Sequence, residues 1–134
     1  MTSKARGGCL CGGVNYEVHG ALGSVLACHC SKCRRTSGNF VATARLLTAD
    51  LRIVEATTLA WYPSSETGDR GFCSRCGGNL FWREKASDNR WTWIMVGTLD
   101  MPTGLKIEGH IFTADKSDYY EIRDDAPQWA QWPP

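Results

Sequence analysis

The chain has 134 residues, 43% of them hydrophobic, and a formal net charge of +1. That length suits one domain spanning 1–134, and so even a charge balance excludes the broad basic surface of a nucleic-acid or anionic-lipid binder. No apolar run approaches the ~20 residues of a membrane span, and the first eight residues lack the apolar stretch of a secretory signal, so a reducing cytoplasm is expected.

In chain order the pattern is mostly strand. Val14, Tyr16 and Val18 alternate after a glycine turn, and residues 24–27 lead into Cys28. Residues 30–38, Cys-Ser-Lys-Cys-Arg-Arg-Thr-Ser-Gly, suit one helical turn ended by Gly38. Residues 40–47 open β-branched and aromatic. Short runs follow at 51–56, 58–62, 79–82, 91–99, 105–112 and 118–122. The tail, 124–134, ends in two prolines and reads as irregular. Few windows hold a 3.6-residue apolar period, and there is no repeat or linker. The fold class expected is all-β: one small domain of short antiparallel strands.

Seven cysteines fall in three close groups: Cys9 and Cys11; Cys28, Cys30 and Cys33; Cys73 and Cys76. An odd count in tight groups argues against a disulfide framework and for metal knuckles. Two zinc ions sharing seven thiolates divide them four and three. Four close a tetrahedron; three leave a position open, as catalytic zinc sites do. The simplest division gives Cys28, Cys30 and Cys33 the open site and joins Cys9 and Cys11 to Cys73 and Cys76. Each outer pair is followed by two glycines, which let a backbone turn tightly around a metal. Pairing Cys9 and Cys11 with two of the central trio also gives four and three, and spacing alone leaves it open.

The order Cys-x-Cys, then Cys-His-Cys-Ser-Lys-Cys-Arg-Arg-Thr-Ser-Gly at 28–38, then Phe-Cys-Ser-Arg-Cys-Gly-Gly-Asn-Leu-Phe at 72–81, resembles the glutathione-dependent formaldehyde-activating enzyme family, which includes centromere protein V. Tyr-Pro-Ser-Ser at 62–65, Val-Gly-Thr-Leu-Asp at 96–100 and His-Ile-Phe at 110–112 extend the likeness over about residues 7–129. The resemblance implies a zinc-bound β-tent fold. It implies a structural zinc on Cys9, Cys11, Cys73 and Cys76 and a second, open zinc on Cys28, Cys30 and Cys33. It also implies a carbon–sulfur lyase joining glutathione and formaldehyde as S-hydroxymethylglutathione. A non-catalytic protein-interaction module of the same fold is the alternative, and a nucleic-acid-binding zinc ribbon is disfavoured by the charge.

A zinc held by three thiolates suits a further soft ligand, a substrate thiol. Glutathione carries two carboxylates, for which Lys32, Arg34, Arg35 and Arg70 lie close in sequence to a knuckle, with Ser37 and Asn39 as hydrogen-bonding neighbours. In an extended segment His29 points away from its flanking ligands and is expected to be packed or hydrogen-bonded rather than a ligand. His19 and His110 have no ligand spacing and read as structural or exposed. Most of Trp61, Tyr62, Phe72, Phe81, Trp82, Trp91 and Trp93 are expected to pack in the sheet. Trp91 and Trp93 share one strand face, a pocket wall being the sharper reading. The sequence carries no signature of oligomeric state.

Overall fold

Glycine, proline and asparagine punctuate the chain so often that its regular elements are short. The computed structural model describes residues 5–86 and 88–134. In chain order the strands are β1 Ala5–Gly8, β2 Asn15–Val18, β3 Val25–Cys28, β4 Val41–Leu47, β5 Leu51–Glu55, β6 Leu59–Tyr62, β7 Gly68–Cys73, β8 Asn79–Glu84, β9 Trp91–Met95 and β10 Ile107–Ile111. The single α-helix among the described residues, α1 Ser31–Ser37, lies between β3 and β4. No described helix is long and apolar enough to cross a membrane.

The strands form two sheets, ordered β1-β2-β5 and β10-β3-β4-β9-β8-β7-β6. Among the described strands every pairing is antiparallel but one. β10 runs parallel to β3, a departure from the antiparallel pattern expected. A parallel neighbour needs a long return connection, and here most of the large sheet is threaded between the two strands.

Two-residue alternation divides the large sheet into two faces. Ala44, Leu46, Phe81 and Ile94 pack with Tyr16 and Val18 of the small sheet, and with Val14 just before β2, to form the main core. Tyr16 meets Phe81 edge to face at 5.2 Å. Gly7 is required in β1 because a Cβ there would collide with the Tyr16 ring. A second apolar cluster, with Cys28, Cys33, Val41, Met95 and Ile111 buried and Trp82 beside them, lies apart from this core.

The tail is irregular as expected, yet it is docked. It hydrogen-bonds along β10: His110 N–H donates to the Pro127 carbonyl at 2.9 Å, Trp129 N–H to the His110 carbonyl at 2.9 Å, and Phe112 N–H to the Gln131 carbonyl at 3.1 Å. The edge of the large sheet is thereby covered.

Tyr16 is 1% exposed and its hydroxyl sits 2.7 Å from Thr98 Oγ1. Burial pushes that hydroxyl up to about 12 from 10.0. A raised pKa contributes stability that is complete below pH 10 and lost as pH rises toward 12. We expect alkaline titration to remove roughly 2–3 kcal/mol over that window. Chemical denaturation at stepped pH will show it, and Tyr16→Phe should flatten this part of the curve.

Candidate metal centres and the adjoining cleft

The first cluster forms where the two sheets meet. Cys9 and Cys11 follow β1; Cys73 closes β7, and Cys76 lies in the turn after it. The four sulfurs lie within 4.8 Å of one another, with Cys9–Cys11 at 3.7 Å and Cys11–Cys73 at 3.6 Å. A tetrahedron with zinc–sulfur bonds of about 2.3 Å has sulfurs about 3.8 Å apart, so this donor set fits zinc. Val14 N–H donates to Cys9 Sγ at 3.4 Å and Cys76 N–H to Cys73 Sγ at 3.3 Å. Thr58 Oγ1 lies 3.0 Å from Cys73 Sγ, and Arg75 Nε donates to Cys11 Sγ at 3.2 Å. Such donors favour thiolate over thiol. The Thr58 hydroxyl is the main reason the Cys73 thiol is drawn down to about 5.

The second cluster is built around the start of α1. Cys28 ends β3. Cys30 caps the helix, its sulfur accepting from Cys33 N–H at 3.3 Å. Gly38, at φ 85°, ends the helix by donating its N–H to the Arg34 carbonyl at 2.8 Å, as only a residue tolerant of that conformation does readily. The sulfurs of Cys28, Cys30 and Cys33 lie within 4.8 Å of one another, and among the described residues no fourth acidic, histidine or cysteine side chain joins them. Three convergent soft donors fit a zinc with a position to spare.

These cysteines line a cleft of about 670 Å³. Arg70, only 6% exposed, lines it as well, and its Nη2 donates to Cys33 Sγ at 3.6 Å. Among the described residues its Nε and Nη1 are buried without a hydrogen-bond partner, and its charge lies beside the Cys33 sulfur. Lys32 also borders the cleft, whereas Arg34, Arg35, Ser37 and Asn39 do not. Ser37 Oγ donates to the Cys33 carbonyl at 2.8 Å and, in the alternative rotor, to the Asn39 carbonyl at 2.9 Å; Asn39 Oδ1 accepts from the Tyr119 hydroxyl. These two side chains hold the cysteine loop together.

Sequence reasoning missed Arg45, Phe112 and Trp132, which border the cleft with Trp82 and Trp93. The parity that separates Trp93 from Ile94 was visible in β9; which face was hollow was not. Trp91 lies instead under the Arg45 guanidinium, 3.8 Å from the ring centre. Phe112 has φ 55°, the left-handed region that costs a bulky side chain ~1–3 kcal/mol.

Behind the cysteine loop runs a buried polar chain. His29 is 1% and His110 3% exposed. Asp124 accepts from His110 Nε2 at 3.0 Å, His110 Nδ1 lies 2.9 Å from His29 Nε2, and His29 Nδ1 meets the Tyr120 hydroxyl. Burial, reinforced by the His110 charge, pushes His29 down to about 4, while the His110 hydrogen bond holds Asp124 below the usual carboxylate range. The contacts can be read as a relay in one direction, the Tyr120 hydroxyl donating to His29 Nδ1, His29 Nε2–H to His110 Nδ1, and His110 Nε2–H to Asp124. His110→Ala leaves the buried His29 N–H without an acceptor. It should destabilise the fold by about 1–3 kcal/mol, read as a lower urea midpoint.

Two packed sheets with a four-cysteine cluster at their junction and a three-cysteine cluster opening on a cleft define a small all-β domain with two sites able to hold metal. The chain belongs to the glutathione-dependent formaldehyde-activating enzyme family, whose sequence profile matches residues 4–115. It is similar to an uncharacterized lyase of Schizosaccharomyces pombe, 25% identical over 120 residues that cover 87% of this chain and 83% of the relative. It is also similar to a Rhodobacter sphaeroides protein of known crystal structure. That likeness has a TM-score of 0.57 and 33% identity and covers 74% of this chain and 91% of the other. The tail from residue 116 lies outside the family match, although it supplies Tyr120 and Asp124 to the polar chain and Trp132 to the cleft.

Proposed function

We propose that this chain is a zinc-dependent carbon–sulfur lyase of the cytoplasm that joins a thiol such as glutathione to an aldehyde such as formaldehyde, or cleaves the adduct. The observation that carries the reading is the three-sulfur cluster opening on a cleft with no fourth protein donor among the described residues. In this reading Cys9, Cys11, Cys73 and Cys76 hold a structural zinc, and Cys28, Cys30 and Cys33 hold the reactive one. The family and the lyase-named relative support it.

In the forward direction the thiol sulfur bonds to the carbonyl carbon, the C=O π pair passes to oxygen, and oxygen takes up the proton the thiol gave up. The reverse breaks the carbon–sulfur bond and returns thiol and aldehyde. Zinc on three thiolates supplies a position for a thiol and favours its ionisation. The protein's own groups do the rest. Arg70 offsets the negative charge gathered at Cys28, Cys30 and Cys33. Lys32 and Arg45 border the cleft where the carboxylates of glutathione need partners.

The test is titration of the cobalt-substituted protein with glutathione and with cysteamine, which has no carboxylate. A new thiolate-to-cobalt charge-transfer band is expected with both. Glutathione should bind about tenfold tighter or more, because a charged hydrogen bond contributes ~1.5–3 kcal/mol. No spectral change with either thiol between about pH 6 and 9, the range in which thiols begin to ionise, would instead favour a non-catalytic interaction module.

A further inference from the structure

We propose that the cleft beside Cys28, Cys30 and Cys33 accepts thiol adducts whose sulfur-bound carbon carries a bulky apolar group, aromatic or branched alkyl, in place of a hydrogen of formaldehyde. This rests on the reading of the cleft as a thiol-adduct site and deepens it by naming the substrate class.

Size is the first argument. A cleft of about 670 Å³ lies within the range that encloses whole drug-sized ligands. Formaldehyde adds only one carbon and one oxygen to the thiol. Wall chemistry is the second. Trp82 and Trp93 are direct partners across β8 and β9, edge to face at 4.8 Å. Phe112 and Trp132 form another edge-to-face pair at 5.4 Å, just beyond β10. In the sheet order β10-β3-β4-β9-β8, the strand that ends at Cys28 lies between these two aromatic pairs. Glutathione, a peptide of amides and carboxylates, has no apolar group to fill such walls. They call for one on the carbon that joins the sulfur.

The third argument is how the second wall is made. Trp132 belongs to the tail, outside the family match. It is 59% exposed, so a ligand resting on it gains contact area. Phe112 is held in its left-handed conformation by a hydrogen bond from its N–H to the tail carbonyl of Gln131. Strain of this kind persists where surroundings over-determine it, and it gathers at binding sites. The family-matched region thus supplies the sulfurs, and the tail narrows the space beside them.

The experiment is calorimetry on the zinc-loaded protein with two ligand pairs. One pair is S-methylglutathione and S-benzylglutathione; the other is 2-mercaptoethanol and benzyl mercaptan. The benzyl member of each pair should bind about tenfold tighter or more, as burial of a phenyl group predicts. Trp132→Ala, at a half-exposed position, should cut that ratio to about threefold or less by weakening the benzyl member more than the methyl one; Trp93→Phe serves as a second, milder variant and should lower the ratio too. A ratio near one in both pairs, or one untouched by either variant, overturns the proposal. If neither glutathione derivative binds but benzyl mercaptan keeps its Trp132-dependent advantage, the glutathione reading falls and the apolar subsite stands.

Discussion

Cys73→Ser is expected to leave the chain unable to fold. The residue is fully buried, belongs to the main core, and places its sulfur 3.6 Å from that of Cys11. If the four sulfurs hold zinc, losing one removes binding energy that in small zinc domains is itself folding energy, ~10 kcal/mol or more. Whole domains are stable by only about 5–15 kcal/mol, so no reserve remains. Expression should yield aggregated material, or a soluble chain without dispersed amide resonances and with the tryptophan emission of exposed indoles. A Cys73→Ser protein that melts within a few degrees of the parent would show that this cluster carries little of the fold.

Cys30→Ser separates the two clusters. Its sulfur accepts one backbone hydrogen bond at the start of α1, and serine is a good helix N-cap in its own right. The fold should therefore survive, with melting shifted by a few degrees at most, a change of about 1 kcal/mol in a domain of this size. On the proposed reading, zinc content should drop by one ion per chain and lyase turnover should fall below detection. Graded chelation of the parent should show the same order, with one zinc leaving first while circular dichroism holds. Retained turnover in Cys30→Ser would remove this residue from the reactive site, and simultaneous loss of both ions with unfolding would count against an open cluster.

What the sequence made legible was local. Cys-x-Cys and Cys-x-x-Cys spacings hold sulfurs close whatever the rest of the chain does, and Gly38 ends a helix by its own backbone preference, so these features were readable before any fold was known. The polar chain was not, because it joins residues 29, 110, 120 and 124, and only the placement of β10 and the tail brings them together. The cleft was hidden for a different reason. Alternation in β4, β8 and β9 says which residues share a face, but a face packed on another sheet and a face lining a hollow carry the same apolar pattern. Arg34 and Arg35 show how sequence proximity differs from placement. They adjoin Cys33 in sequence, but each step along α1 turns a side chain by about 100°, and neither borders the cleft.

Strand β7 ties the two clusters to the accuracy of sheet assembly. It delivers Arg70 to the cleft side and, three residues on, Cys73 to the core side, with a register irregularity between Gly71 and Phe72 in its pairing with β8. A slip of one residue would send each side chain to the opposite face. Cys73 would leave Cys9 and Cys11, and Arg70 would leave Cys33, in the same event. Sulfurs contributed from both sheets converge only in the native alignment. If the clusters take up metal, its capture would act as a proofreading step, trapping correctly aligned chains and leaving misaligned ones free to unpair and try again.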